Sequence, residues 1–480
     1  MTKRNVGVAG LAVMGQNLVL NLERRGYSVA VYNRTAERTR AFVEDRARGK
    51  AIEGTYDLES FAAALAAPRV ILMMVKAGDP TDALIDGLLP LLDGGDVLID
   101  GGNAHYADTE RRIERASERG VLYLGTGVSG GESGALHGPS IMAGGSREAY
   151  GIAGPMLEAI AAQGPRGTCC GFFGPGSAGH YVKMVHNGIE YAIMQALTEA
   201  YDLMKRGLGM TAPEMADVFG AWNRGELESY LVEITEVILR RVDTETGEPL
   251  VEVILDTAAQ KGTGKWSSQS ALDVGAPSPS IAAAVFARIV SSLKAERAEA
   301  EAVLTGPTPS LAVDRAEALA DLFSAVYVMI VAAYAQGMRQ LRDASKERGY
   351  ALDLAEVARV WMAGCIVRAK LLVSIGDAFK DRPDLPYLLL AEPFRTIWSD
   401  HQAGLRKTVA RGHEAGIPVP ALSSALDAID AYRTGRLPAN LLQAQRDFFG
   451  AHTYRRIDRD GAFHTAWEAS PAEGGEENAR

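Results

Sequence analysis

Short apolar runs recur through the first third of the chain, at Val6–Ala9, Val29–Tyr32, Val70–Val75, Val97–Ile99 and Leu122–Leu124, each followed by a stretch with helix-like spacing. Strand and helix in alternation are the mark of βαβ units, so residues 1–178 are expected to form a parallel, doubly wound, Rossmann-like α/β domain. The pattern breaks at Gly171–Gly179 (GFFGPGSAG), where glycine and proline remove helix and strand preference together and place a domain boundary.

Across residues 179–435 strand patterns are scarce and long helical patterns dominate, as in Tyr181–Met204, Leu227–Arg241 and Leu319–Lys346. This part is expected to be a large all-α domain. It carries a weak internal repeat: Tyr201 followed by Val218, Trp222 and Gly225 returns as Tyr334 followed by Val357, Trp361 and Gly364. Residues 436–480 read as a C-terminal tail. Leu437–Asn440 opens a short helix, aromatic and basic residues follow, and Glu468–Arg480 is polar, acidic and expected to be disordered.

Composition narrows the function classes. With 480 residues, 47% of them hydrophobic, the chain can bury more than one core. A net charge of -10 argues against non-specific nucleic-acid binding, so an anionic substrate would need a local set of Lys and Arg. Cys169, Cys170 and Cys365 cannot build a disulfide framework, which suits a reducing cytoplasm. Gly7, Gly10 and Gly15 interrupt the apolar start too early for a signal peptide. Leu322–Ala335 is too short an apolar run to span a bilayer and reads as a buried helix, so no membrane partner is expected.

The first strand leads into Gly10-Leu-Ala12-Val13-Met14-Gly15, the dinucleotide-binding spacing with alanine in the second glycine position. Gly10 makes the tight turn, Ala12 lets a ligand approach the backbone, and Gly15 lets the helix pack while its first N–H groups face pyrophosphate. A plain strand–helix turn could share this spacing. The next strand, however, ends in Asn33-Arg34-Thr35, where the adenosine ribose is read. An NAD enzyme wants a carboxylate there. Arg34 instead suits a 2′-phosphate, with Asn33 and Thr35 as further donors, so NADP is the expected cofactor. The later strand ends, Val75-Lys76-Ala77 and Asp100-Gly-Gly-Asn103, fall at the edge where the nicotinamide should lie.

Lys183, His186, Asn187, Glu190 and Tyr191 share one face of a helix directly after the domain break. A generic polar stripe is more often a solvated face. This one combines a cation, an imidazole, an amide, an acid and a phenol, which favours a cleft-lining helix. Two further segments suit an anion: Gly127-Val-Ser129-Gly130-Gly131 as a loop of N–H groups, and Lys261-Gly-Thr263-Gly-Lys265-Trp266 as a cationic chain free to wrap a phosphate.

Together GLAVMGQN (Gly10–Asn17), VSGGE (Val128–Glu132), KMVHNGIEY (Lys183–Tyr191), KGTGKW (Lys261–Trp266) and QRDFFGAHTY (Gln445–Tyr454) resemble the 6-phosphogluconate dehydrogenase family over nearly the whole chain. Ser133, where a second Glu is expected, and Ala143, where Pro is usual, depart from the family pattern. The resemblance implies oxidative decarboxylation of 6-phosphogluconate to ribulose 5-phosphate with NADP. Lys183 would be the general base and acid, Glu190 the second acid. Asn103, Ser129, Gly130, Gly131, His186 and Asn187 would hold the sugar acid, Tyr191, Lys261, Thr263, Arg288 and Arg446 would surround its phosphate, and His452 would add a contact. It also implies a homodimer whose tail completes the partner's site.

The residues suit that chemistry directly. As hydride leaves C3, a neutral lysine takes the hydroxyl proton, and the ketone formed, β to the carboxylate, accepts the electrons released with CO2. Lys183 must then start neutral, and burial and nearby cations are expected to lower its pKa. Once protonated it polarises the ketone, the task a metal performs in other decarboxylating dehydrogenases, so no metal is expected. Two alternatives are a β-hydroxyacid dehydrogenase acting on an unphosphorylated acid and a non-catalytic NADPH sensor.

Overall fold

The computed structural model describes residues 2–468 and 476–478. Residues 1–426 form one compact unit and residues 427–480 a second. In the first unit the strands are β1 (Val6–Ala9), β2 (Val29–Tyr32), β3 (Ile52–Thr55), β4 (Val70–Met73), β5 (Val97–Asp100), β6 (Leu122–Val128), β7 (Ile141–Gly145), β8 (Gln163–Gly164), β9 (Gly167–Thr168) and β10 (Cys170–Phe172). All but the β8–β9 hairpin join one sheet in the order β10-β7-β6-β5-β4-β1-β2-β3.

The alternation predicts a parallel sheet, and one pairing departs from it: β7 runs antiparallel to β6, with Thr126 opposite Ala143, and β10 runs parallel to β7. The Ser129 N–H donates to the Ser140 carbonyl at 3.0 Å and closes that connection as a hairpin, which returns the chain in the opposite direction. Along the parallel strands successive side chains alternate between two cores. Val6, Val8, Val70 and Leu72 enter one, and Ala9, Ile71 and Met73 the other, so both faces are covered by helices.

The helix Ala178–Asp202, called here the site helix, packs directly on the sheet. Glycines make that approach possible. A Cβ on Gly179 would lie 2.4 Å from the Gly125 carbonyl oxygen, and one on Gly127 would lie 2.3 Å from Lys183 Cβ. The site helix also packs along the helix Arg315–Arg348, whose length and apolarity would suffice to cross a membrane but whose apolar window is 72% buried in this fold.

Each of these two helices leads to a shorter one carrying the repeated tryptophan, Trp222 in Ala212–Asn223 and Trp361 at the end of Leu354–Val360. The segments that follow meet as an antiparallel bridge between Ser229 and Ala369.

In the second unit the helix Ala439–Gly450 presents Asp447, whose carboxylate accepts from the Thr453 and Thr465 N–H groups and the Trp467 indole and pairs with His464. Most of the expected disordered stretch, residues 469–475 and 479–480, lies outside the described residues. Glu476–Asn478 does not follow that expectation: it pairs antiparallel with Phe463–Thr465.

Candidate active site

At the carboxyl edge of the sheet a cleft of about 440 Å³ is lined by Gly10, Ala12, Asn33, Arg34, Thr35, Arg38, Val75 and Lys76, among others. Gly10 sits at φ +105° with its Cα facing the Met74 carbonyl, where a Cβ would lie 2.5 Å from oxygen; a Cβ on Gly15 would lie 1.9 Å from the Gly10 carbonyl oxygen. Both glycines are required by close backbone approach. The following helix, Val13–Arg24, has no side-chain cap, so the N–H groups at its start, beside the 53%-exposed Val13 and half-buried Met14, are free for an anion.

Asn33 turns out to hold the loop together: its amide oxygen accepts from Leu11 N–H at 3.0 Å and its nitrogen donates to the Thr35 carbonyl at 3.1 Å. Arg34 and Thr35 are exposed at the rim. Arg38, one turn into the next helix, lines the same cleft, and the sequence reading missed it. No side-chain hydrogen bond among the described residues ties down Arg34 or Arg38, which leaves two guanidinium groups for a phosphate. Glycine turns, uncapped amides and paired arginines fit a phosphorylated dinucleotide. Lys76 and Ala77 follow β4, and Asn103 stands exposed just beyond β5.

The expected stripe on the site helix is assembled, but the helix is buried almost all round instead of being amphipathic. Lys183 is 5% exposed, with Nζ 3.4 Å from His186 Nδ1. His186 Nδ1 lies 3.0 Å from Asn187 Oδ1, and Nε2 lies 3.3 Å from Ser129 Oγ. With Asn187 Nδ2 donating to Thr263 Oγ1 at 3.1 Å, the network assigns the imidazole proton to Nδ1 and makes Ser129 the donor to Nε2. Burial, then the neighbouring Lys183, holds His186 well below the ordinary imidazole value. It is neutral, and its 3.8 Å approach to Glu190 is proximity, not an ion pair. Trp361 packs against the imidazole in a T-shaped pair, 5.5 Å between centroids.

Burial lowers the Lys183 amine below the ordinary lysine value, while Glu190 and Cys365 act in the other direction. No nearby cation is among the causes, contrary to the sequence expectation, because the surroundings supply desolvation instead of repulsion. Burial raises the Glu190 carboxyl, opposed by Lys183 and Arg288. Arg288 lies over the Tyr191 ring, 3.4 Å from its centroid.

Two anion segments are shorter than expected. Gly127 and Val128 belong to β6 and Gly131 opens the helix Gly131–His137, so the loop is Ser129–Gly130, with Gly130 at φ +109° packed against the Gly364 carbonyl. Thr263 already begins the helix Thr263–Asp273, which leaves only Lys261 and Gly262 as free chain; Lys261 is exposed. The structure thus gathers Lys183, His186, Asn187, Glu190, Tyr191, Ser129, Thr263 and Arg288. Arg446 and His452 belong to the second unit, where Arg446 donates to Gln443 at 3.2 Å and His452 meets the Phe449 ring edge-on at 6.1 Å. The closing segment Trp361–Gly364 was missed as part of the site, although its tryptophan stood out in the repeat. The Gly125-Thr-Gly127 alternation, which marks one bare face of a strand, was a legible sign of close helix approach.

Comparison with known proteins agrees with this arrangement. Residues 5–174 match the family model for the NAD binding domain of 6-phosphogluconate dehydrogenase, and residues 179–467 match that for the 6-phosphogluconate dehydrogenase C-terminal domain. The chain is 51% identical over 97% of its length to the whole of the Bacillus subtilis "6-phosphogluconate dehydrogenase, NADP(+)-dependent, decarboxylating". It is 52% identical, again over 97% of its length, to the whole of the Escherichia coli "6-phosphogluconate dehydrogenase, decarboxylating". The Plasmodium falciparum 6-phosphogluconate dehydrogenase, solved in apo form and with NADP+ or 6-phosphogluconate, superposes with a TM-score of 0.92 at 42% identity, covering 96% of this chain and 100% of that one. On motif, fold and full-length likeness alike, the chain belongs to the 6-phosphogluconate dehydrogenase family.

Proposed function

We propose that the protein is an NADP-dependent, decarboxylating 6-phosphogluconate dehydrogenase, acting in the cytoplasm and releasing ribulose 5-phosphate and CO2. The observation that carries this reading is the buried Lys183 amine, lowered in pKa and set in one row with His186, Asn187 and Glu190. NADP, when bound, accepts the hydride from C3. Gly10, Ala12, Val13, Met14 and Gly15 would cradle its pyrophosphate, Arg34 with Thr35 and Arg38 its 2′-phosphate, and Val75, Lys76, Ala77 and Asn103 its nicotinamide end.

Lys183 takes the C3 hydroxyl proton as the ketone forms. The resulting ammonium faces the ketone oxygen and returns the proton to it as the C–C bond breaks and CO2 leaves, so no metal is needed for that step. Glu190, whose carboxyl burial raises above the ordinary value, then delivers a proton to C1 of the enediol while the lysine takes the enol hydroxyl proton back. Neutral His186, its one N–H directed at Asn187 and its other nitrogen accepting from Ser129, holds both side chains in place and adds no charge that would oppose the lysine. Arg288 over Tyr191, with Thr263 and Lys261, would receive the phosphate; an unphosphorylated acid would leave these cations unpaired.

The working division is a coenzyme domain at 1–178, a helical domain at 179–435 and a tail at 436–480 whose Arg446 and His452 complete the site of a twofold partner. Three free, buried cysteines support a reducing compartment. The direct test is NADPH absorbance with purified protein, NADP and 6-phosphogluconate, with CO2 and the pentose phosphate measured in parallel. Absence of turnover, or turnover of an unphosphorylated acid at a comparable kcat/KM, refutes the reading.

A further inference from the structure

The two chain segments assigned above to the nicotinamide end of the coenzyme, Val75–Ala77 after β4 and Asp100–Asn103 at the end of β5, share one buried anchor. Arg112, on the helix Tyr106–Ser117, is 0% exposed. Its Nε and Nη2 donate to the two Asp82 carboxylate oxygens at 2.9 and 3.2 Å, and Nη2 also donates to the Gly78 carbonyl at 3.1 Å. Nη1 donates to Asp100 Oδ2 at 3.2 Å. The first three bonds hold the turn that ends the β4 loop, where Thr81 Oγ1 donates back to the Lys76 carbonyl at 3.0 Å. The fourth holds the β5 loop.

Asp100 spreads that hold further. Its Oδ1 accepts from the Gly102 N–H at 3.0 Å, directly before Asn103, and its Oδ2 accepts from the Tyr123 hydroxyl at 3.1 Å. Its carbonyl lies 3.0 Å from Nε2 of His180, one turn ahead of Lys183 on the site helix, while Thr109 Oγ1 lies 2.7 Å from Nδ1. Because a carbonyl only accepts, His180 carries its proton on Nε2 and ties the site helix to the end of β5. The loops also touch each other: a Cβ on Gly101 would lie 2.5 Å from the Met74 sulfur, and one on Gly102 would lie 3.3 Å from the Val75 carbonyl oxygen.

We infer that Arg112 is a positioning residue, whose planar fork sets the distance between the Val75–Gly78 and Asp100–Asn103 loops and links both to the helix that carries Lys183. A lysine cannot replace it, since a single ammonium cannot reach Asp82, Gly78 and Asp100 together. The inference rests on the coenzyme reading of these loops. A merely structural role is represented in the same sheet: Arg69 and Asp96, with Nη1 and Oδ2 2.7 Å apart, join the opposite, amino ends of β4 and β5.

The test compares Arg112→Lys and Asp82→Asn with Arg69→Lys in the full-length enzyme. Two quantities are read: the NADPH dissociation constant by coenzyme fluorescence without substrate, and the primary isotope effect with 6-phosphogluconate deuterated at C3. Arg112→Lys should weaken NADPH binding by about tenfold and raise the isotope effect, because misplacing the coenzyme slows hydride transfer. Asp82→Asn should move both in the same direction by less. Arg69→Lys should lower the melting temperature and move neither. Wild-type values in Arg112→Lys, or equal shifts in Arg69→Lys, overturn the inference; if Arg112→Lys does not fold, Asp82→Asn against Arg69→Lys decides by the same criterion. A wild-type protein that does not bind NADPH would instead refute the coenzyme reading.

Discussion

A methyl group at Gly127 should disable the enzyme without unfolding it. Gly127 lies in β6 with no positive φ, so alanine meets no backbone strain there and the effect is purely steric. Its Cβ would stand 2.3 Å from Lys183 Cβ and 2.7 Å from Lys183 Cγ. Restoring ordinary contact at 3.4 Å needs a movement of about 1.1 Å. A flexible tip could give way, but a Cβ is fixed to its backbone, so the site helix itself must move off the sheet. Overpacking of this kind costs about 1–3 kcal/mol, a part of the stability of a domain this large. A displacement near 1 Å of the proton-transfer group costs on the order of 10²-fold in rate. Steady-state NADPH formation gives kcat, and calorimetry gives the melting temperature. The control is Gly151→Ala, a helical glycine with open space around its Cβ, which should keep kcat and gain a few tenths of a kcal/mol. If Gly127→Ala folds and keeps kcat within about threefold of wild type, close packing on β6 does not position Lys183.

Arg34→Ala should lose about 2 kcal/mol of NADP affinity, roughly thirtyfold, and leave NAD almost unchanged; equal losses for both coenzymes would show that Arg34 does not read the 2′-phosphate. Lys183→Ala should abolish oxidation by ~10²-fold or more, whereas Glu190→Ala should retain part of hydride transfer and fail to release correctly protonated pentose phosphate, as rapid-quench product analysis can show. Because the native pKa of Lys183 is lowered, the unfolded chain binds a proton that the native one does not between that value and the ordinary 10.5, and wild-type stability rises with pH across that window. Lys183→Met should therefore be more stable than wild type near neutral pH, with the advantage shrinking toward pH 10.5 in denaturant titrations; an advantage independent of pH contradicts the buried-amine argument. Finally, co-refolding Lys183→Ala chains with Arg446→Ala chains should restore about a quarter of wild-type sites if the tail acts across a twofold dimer. Activity no higher than that of the separate mutants would place Arg446 in its own chain's site.

Much of this protein follows from local order in its sequence. Period-two and period-3.6 patterns reveal strands and helices because side-chain direction depends on neighbouring residues only. The coenzyme turn at Gly10–Gly15 and the row from Lys183 to Tyr191 are legible for the same reason, since each lies within one turn or one helix. Strands such as Ile52–Thr55 and Ile141–Gly145, glycine-bearing and weakly alternating, are set by the neighbours they pair with, and so is the reversal of β7. The lowered pKa of Lys183 also escapes the local pattern: it follows from burial, which needs the bare face of Gly125 and Gly127 beneath the helix. Trp361 against His186 and Arg112 between two strand ends join residues far apart in the chain. Hydrogen bonds and desolvation act through a few ångströms of space, so only the tertiary fold decides which of these groups meet.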